Sequence, residues 1–360
     1  MNKSMEESNL TRRNFLKLAA GGLVGAGALT LGVRPWTRDA SAVANTLTRP
    51  AMGTFVEITG VGEGKDRLTD ALDSAFSRVD EVDRTMSVFD EGSDVYRINA
   101  PTNRRLSLTP GLTEVLDSSL EISRITGGSF DVTSAPLLDL WGYYSGKLNV
   151  PDKSTLEATR KLVDYTALDL DPDVNVLTLG SSSQAVDLGG VAKGYAVDQA
   201  VEALKEAGLT GGLVNAGGDI RGFGGPADGS DWTVGLQNPK AEDDILHALT
   251  LSLPAITTSG DYESFFTYRG DRLSHIVDPL TGRPVEDVLS VSVMTNSATY
   301  ADGLSTGLFS ADPHRAVEIV NSLESTELIY VHRDAGEVKV KLSSGLKDEV
   351  NVGRMEMRLN

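Results

Sequence analysis

Between Gln184 and Asp219 the chain passes through a β-like run, a double glycine, a helix-length stretch and a second β-like run. No other segment limits the fold as much. Residues 184–188 read as a strand, Gly189 and Gly190 as a turn, and 191–207 as a helix closed by Gly208. Leu213, Val214 and Asn215 begin a strand that breaks at Gly217, Gly218 and Asp219. Strand, glycine turn, helix and strand in that order can aim free backbone N–H groups at an anion.

The rest of the chain alternates the same element types without a regular βαβ repeat. Leu68, Leu72, Phe76, Val79 and Val82 recur at helical spacing, giving an amphipathic helix that ends near Met86. A second helix is marked by Thr109 at its N-cap, Pro110 in its first turn and Gly127 past its end. Residues 54–59, 255–258 and 273–278 read as strands, 297–309 as a helix, and 149–181 as surface helix and hairpin. With no internal repeat and no dividing linker, the pattern predicts one α+β domain.

That domain begins after residue 42. Thr11 to Lys17, TRRNFLK, carries the paired Arg12 and Arg13 of a twin-arginine export signal. An uncharged stretch, 18–33, follows, and it is too short and too rich in Gly and Ala to span a bilayer. Ala40, Ser41 and Ala42 offer a cleavage site. Residues 1–42 are therefore expected to be a leader, the alternative being a retained N-terminal anchor, with 43–360 acting at the periplasmic or extracytoplasmic face of the membrane and no spanning helix remaining once the leader is removed.

The chain carries a net charge of −18. So acidic a body repels a nucleic acid backbone. A phosphorylated ligand must then be held by local dipoles, a few cations or a metal ion. The absence of cysteine excludes disulfides, thiolate catalysis and an acylated-cysteine anchor.

Three segments can carry chemistry. In VDLGGVAKGY, Val186 to Tyr195, glycines admit a ligand to the main chain and Lys193 stands where it could meet a phosphate, though such a turn with a solvated lysine is common. It is neither a Walker loop nor a dinucleotide fingerprint. In ATYADGLSTGLF, Ala298 to Phe309, Asp302 and Thr306 share one helical face and offer oxygen ligands suited to Mg²⁺. Alone, such a pair is more often a cap or a buried polar contact. In RLSHIVDPLTGRPV, His275 precedes a turn at Asp278, Pro279 and Gly282; it could accept a proton from an attacking hydroxyl, or be structural. Residues 126–142 and 213–226 mix glycine, aspartate and aromatic residues in a way that suits a flat ring system or an ordered loop.

Taken in order, these segments resemble the ApbE family of FAD:protein FMN transferases. The match runs from Met52, Gly53 and Thr54 through DRTMSVFDEGSDVYRIN, TGGSFDVTSAPLLDLWG, VDLGGVAKGYAVDQ, LVNAGGDIRGFG, TTSGDYESFF, SHIVDP and ADGLSTGLF. The resemblance implies a single T-fold-related α+β domain with mixed sheets flanked by helices. It implies Mg²⁺ held by Asp302, Thr306 and a main-chain carbonyl, that of Gly190. FAD contacts fall at Met52, Phe89, Ser129, Phe130, Asp131, Asp187, Lys193 and Ile276, and the catalytic histidine at His275. The implied reaction moves FMN from FAD to a Thr or Ser hydroxyl of a target flavoprotein, an exported or membrane electron-transfer protein, and releases AMP. An FAD pyrophosphatase that uses water, or a non-turnover flavin-binding protein, are the other readings.

Overall fold

The structure, a computed structural model, describes residues 42–261, 265–268 and 271–359. The expected leader, apart from Ala42, lies outside the described residues. Eight strands form the main sheet: β1 (Val43–Ala51), β2 (Thr54–Gly62), β3 (Gly211–Ala216), β4 (Asp219–Phe223), β5 (Ala255–Gly260), β6 (Val288–Thr295), β7 (Glu327–Asp334) and β8 (Glu337–Leu342). They neighbour one another in chain order, and each pairing is antiparallel. Two-residue turns with both residues left-handed match strand twist. Gly217 and Gly218 supply one such turn between β3 and β4, at φ 63° and 102°.

Side chains alternate across this sheet and define two cores. On one face Ile58, Val214, Val291 and Tyr330 pack under α1 (Lys65–Met86), α2 (Pro110–Thr126), α3 (Ala192–Glu206) and α4 (Ala298–Phe309). Leu68, Leu72, Phe76, Val79 and Val82 of α1 all point inward, as their spacing predicts. On the other face Leu213, Ile220 and Ile329 meet Trp232 and Val234 beside the hairpin of Thr233–Asn238 and Ala241–Thr250, and Met355 of the helix Val352–Leu359. The sheet is thus buried on both sides, and its helical side carries the polar residues discussed below. Among the described residues no helix is long and apolar enough to cross a membrane.

Two sequence expectations need correction. Residues 184–188 form no strand. The Val186 N–H donates to the Asn99 side chain at 2.7 Å and the Asp187 N–H to the Val132 carbonyl at 2.8 Å, so partners come singly from the end of the helix Asp94–Asn99 and from a turn instead of from a ladder. The strand expected over 273–278 is two short strands, Asp271–Ser274 and Val277–Asp278, which pair with different partners. The break falls at His275 and Ile276, which frees both from a ladder.

Candidate active site

The site is built where α3 meets α4. Gly194 lets the two helices touch: a Cβ there would lie 2.2 Å from the Ala298 carbonyl oxygen and 2.8 Å from Asp302 Cβ. At that approach the Gly194 N–H donates to Asp302 Oδ2 at 3.0 Å. The double-glycine bend touches the next turn of α4 in the same way. A Cβ on Gly190 would lie 2.8 Å from Thr306 Cγ2 and 3.0 Å from its hydroxyl. Bend and helix are therefore in direct contact, which puts the main chain of Gly190 beside the Thr306 hydroxyl.

Two adjoining cavities open at this junction. The larger, about 540 Å³, is bounded by Met52, Met86, Val88, Phe89, Phe265 and Phe266 among others. The smaller, about 300 Å³, is bounded by Ser129, Phe130, Asp131, His275, Ile276, Gly190, Asp302 and Thr306 among others. Phe89, Tyr143, Tyr144, Asp187, Gly189 and Lys193 line both, forming a waist between an apolar chamber and a more polar one. Each of the twelve residues assigned from the sequence to catalysis, flavin contact or metal binding lines one chamber or both. Sequence distance hides this, since Met52 and Thr306 lie at opposite ends of the family-like region.

The electrostatics concentrate at the waist. Asp302 is 2% exposed, and burial holds its carboxyl above the usual carboxylate range, with the Lys193 ammonium 3.9 Å away pulling it back down. Lys193 also pairs with Asp219 of β4. Asp187 accepts the Gly189 N–H at 2.7 Å and the Tyr144 hydroxyl at 2.7 Å, and burial raises its carboxyl too. Burial and the neighbouring Asp187 push the Tyr144 hydroxyl far upward, so it stays a neutral donor. Thr306, Ser259 and Ser305 form a hydroxyl chain beside Asp302, with Ser259 Oγ 2.9 Å from Ser305 and 3.4 Å from Thr306. One carboxylate with hydroxyl and main-chain oxygens around it is a donor set for a small hard cation that keeps several waters. No cluster of three or more metal-binding His, Asp or Glu side chains exists among the described residues.

Aromatic anchors bring the histidine segment to this junction. The Trp141 indole N–H donates to the Gly282 carbonyl at 2.7 Å, pinning the turn after His275 to the helix Ala135–Trp141. Tyr143 donates its hydroxyl to the Ser274 carbonyl and lays its ring 5.0 Å from that of Phe266. His275 is thus held in the wall of the smaller chamber, which Asp302 and Thr306 of α4 also line. Asp131 is committed to the backbone, accepting from the Thr133 N–H of its own loop at 2.8 Å and from the Tyr165 N–H, 34 residues on, at 3.1 Å; burial raises its carboxyl. It shapes the chamber wall.

Sequence reading missed Tyr143 and Tyr144, although both directly follow a segment it singled out. The signal was two adjacent aromatic residues after Gly142, a left-handed helix end at φ 88°. Residues 213–226 do not form the ring cradle that their composition allowed. None lines either cavity; they are the β3–β4 hairpin and act through Asp219 on Lys193.

Comparison with known proteins gives these chambers a context. The FAD:protein FMN transferase of Vibrio cholerae is 31% identical over 301 residues, covering 81% of this chain and 88% of its own. That of Salmonella typhimurium is 30% identical over 295 residues, covering 79% and 84%. Among solved structures, the ApbE protein of Thermotoga maritima superposes with a TM-score of 0.77 at 29% identity, covering 85% of this chain and 98% of its own. The flavin transferase ApbE of Vibrio cholerae gives 0.74 at 28% identity, covering 85% and 99%. The ApbE family description matches residues 52–330, which include both chambers and the helices between them, and the chain belongs to that family.

Proposed function

We propose that the chain transfers FMN from FAD to a Ser or Thr hydroxyl of a target flavoprotein and releases AMP. One observation carries this reading: the waist between the two chambers holds Lys193 and Gly189 of the glycine bend, and the buried Asp302 carboxylate with its hydroxyl neighbours lies beside Lys193 in the smaller chamber. A diphosphate joining two ring-bearing halves fits such a waist, with one half in each chamber. The groups there also offset the repulsion of a −18 body. Relatives named for this activity align over 81% and 79% of the chain.

Asp302, Thr306 and the Gly190 carbonyl would hold Mg²⁺, and the bound ion would neutralise charge on the diphosphate. Lys193 steadies the phosphates from the α3 side. The acceptor hydroxyl oxygen attacks the FMN-side phosphorus, the bond from that phosphorus to the bridging oxygen breaks, and AMP departs with the electron pair. His275 takes the hydroxyl proton. The apolar chamber, with Phe89 at its rim, keeps bulk water from competing for the same phosphorus. Residues 1–42 would direct the folded enzyme across the membrane by the twin-arginine route, to meet an exported or membrane electron-transfer partner.

The test incubates residues 43–360 with FAD, Mg²⁺ and a pool of Ser- and Thr-containing peptides, followed by intact mass and nucleotide analysis. The expected result is AMP release matched by FMN adducts on peptides. Free FMN formed at one rate with and without peptides would identify a hydrolase instead.

A further inference from the structure

We propose that Asp198 is a positioning residue that sets α4, and with it Asp302 and Thr306, against α3; this rests on the metal-binding reading above. Asp198 lies on α3 beyond Lys193, is 8% exposed and lines neither chamber. Its carboxylate is spent on the start of α4. Oδ1 accepts the Ala298 N–H at 2.9 Å, and Oδ2 accepts the Thr299 N–H at 2.9 Å, the Thr299 hydroxyl at 2.6 Å and the Ser297 hydroxyl at 2.7 Å. Arg221 of β4 closes the set, with Nη1 2.9 Å from Oδ1.

An anionic acceptor at a helix N-terminus satisfies orphan N–H groups and meets the positive end of the dipole. Helix α4 already has an N-cap of its own, because Ser297 Oγ accepts from the Tyr300 N–H at 3.4 Å. A second cap supplied from α3 therefore does something the first cannot: it fixes one helix relative to the other. Asp302 lies one turn beyond Ala298 and Thr306 one turn further, while Gly194 lies one turn before Asp198 on α3. The two helices are thus pressed together at Gly194 and tied at Asp198, which leaves α4 no freedom to slide or turn about its axis. Without the tie, Asp302 and Thr306 keep their places on α4 but lose their places relative to Gly190 and Lys193.

The experiment uses residues 43–360 loaded with FAD and compares the parent chain with Asp198→Asn and with the milder Thr299→Val, which keeps the backbone bond. Mn²⁺ binding is followed by loss of the free-ion EPR signal, beside FAD affinity without metal and thermal melting. For Asp198→Asn the expected result is ion affinity weakened about tenfold or more, with FAD affinity unchanged. Thr299→Val should shift ion affinity in the same direction by less. A lowered melting temperature with parental ion affinity in both variants would overturn the proposal and leave Asp198 a plain structural cap. A parent chain that binds no Mn²⁺ would overturn the metal assignment and this inference with it. A parent that binds Mn²⁺ yet transfers no FMN would contradict the proposed reaction while leaving Asp198 tested by the same shift.

Discussion

Asp302 ties stability to pH in a direction opposite to that of an ordinary surface carboxylate. Its folded-state value is raised by burial, so the ion-free folded chain holds the proton more tightly than the unfolded chain does. The stability it contributes is full below the unfolded value and is lost as pH rises through the folded one. At neutral pH without metal, Asp302→Asn should therefore be more stable than the parent by about 1 kcal/mol, read by thermal melting. Added Mg²⁺ should stabilise the parent and leave the variant unmoved. Ion binding itself needs the ionised carboxylate and should weaken on acidification, with a midpoint above the ordinary value of 3.8, measured by calorimetry across pH. In the same chamber, His275→Ala should lower FMN transfer by about 10²–10⁴-fold while FAD still binds. Their placement in one site was legible from the ordered set of family-like motifs, since each segment alone left a cap, a buried polar contact or a structural histidine open. Tyr144 and the partners of Asp198 were not legible, since each works through contacts 43 and about 100 residues away.

Helices and strands were read well where periodicity or a cap marks them. α1, α2, α3 and α4 all lie within a residue or two of where their apolar spacing and terminal residues predict. The failures share a cause. Residues 184–188 have strand-like composition, but their N–H groups bond to a helix end and a turn, and 273–278 breaks where His275 lines a cavity. Local pattern reports the tendency to extend and not the partner. Glycine in α3 has a consequence on this scale: Gly194→Ala puts a Cβ against the main chain of α4, which cannot yield as a flexible side chain could. The variant should lose about 1–3 kcal/mol of stability, measured by urea unfolding, and should lose ion affinity as α4 moves away.

On the scale of the whole molecule, one sheet buried on both faces holds two helices rigidly enough to assemble a site from residues far apart in sequence. The antiparallel order was hidden in the sequence, because alternation identifies strands without naming neighbours. The charge, by contrast, is plain. A −18 body repels an anionic dinucleotide until it reaches the waist. Raising salt should therefore speed FAD association modestly, with little change in dissociation, in stopped-flow measurements of flavin fluorescence.

A crystal structure of residues 43–360 with FAD and Mg²⁺ bears most directly on the central claim. The diphosphate should lie at the waist, against Lys193, with an ion between it and the Asp302, Thr306 and Gly190 oxygens, and with one ring system in each chamber. A dinucleotide seated elsewhere, or a diphosphate at the waist with no ion on those oxygens at saturating Mg²⁺, would contradict it.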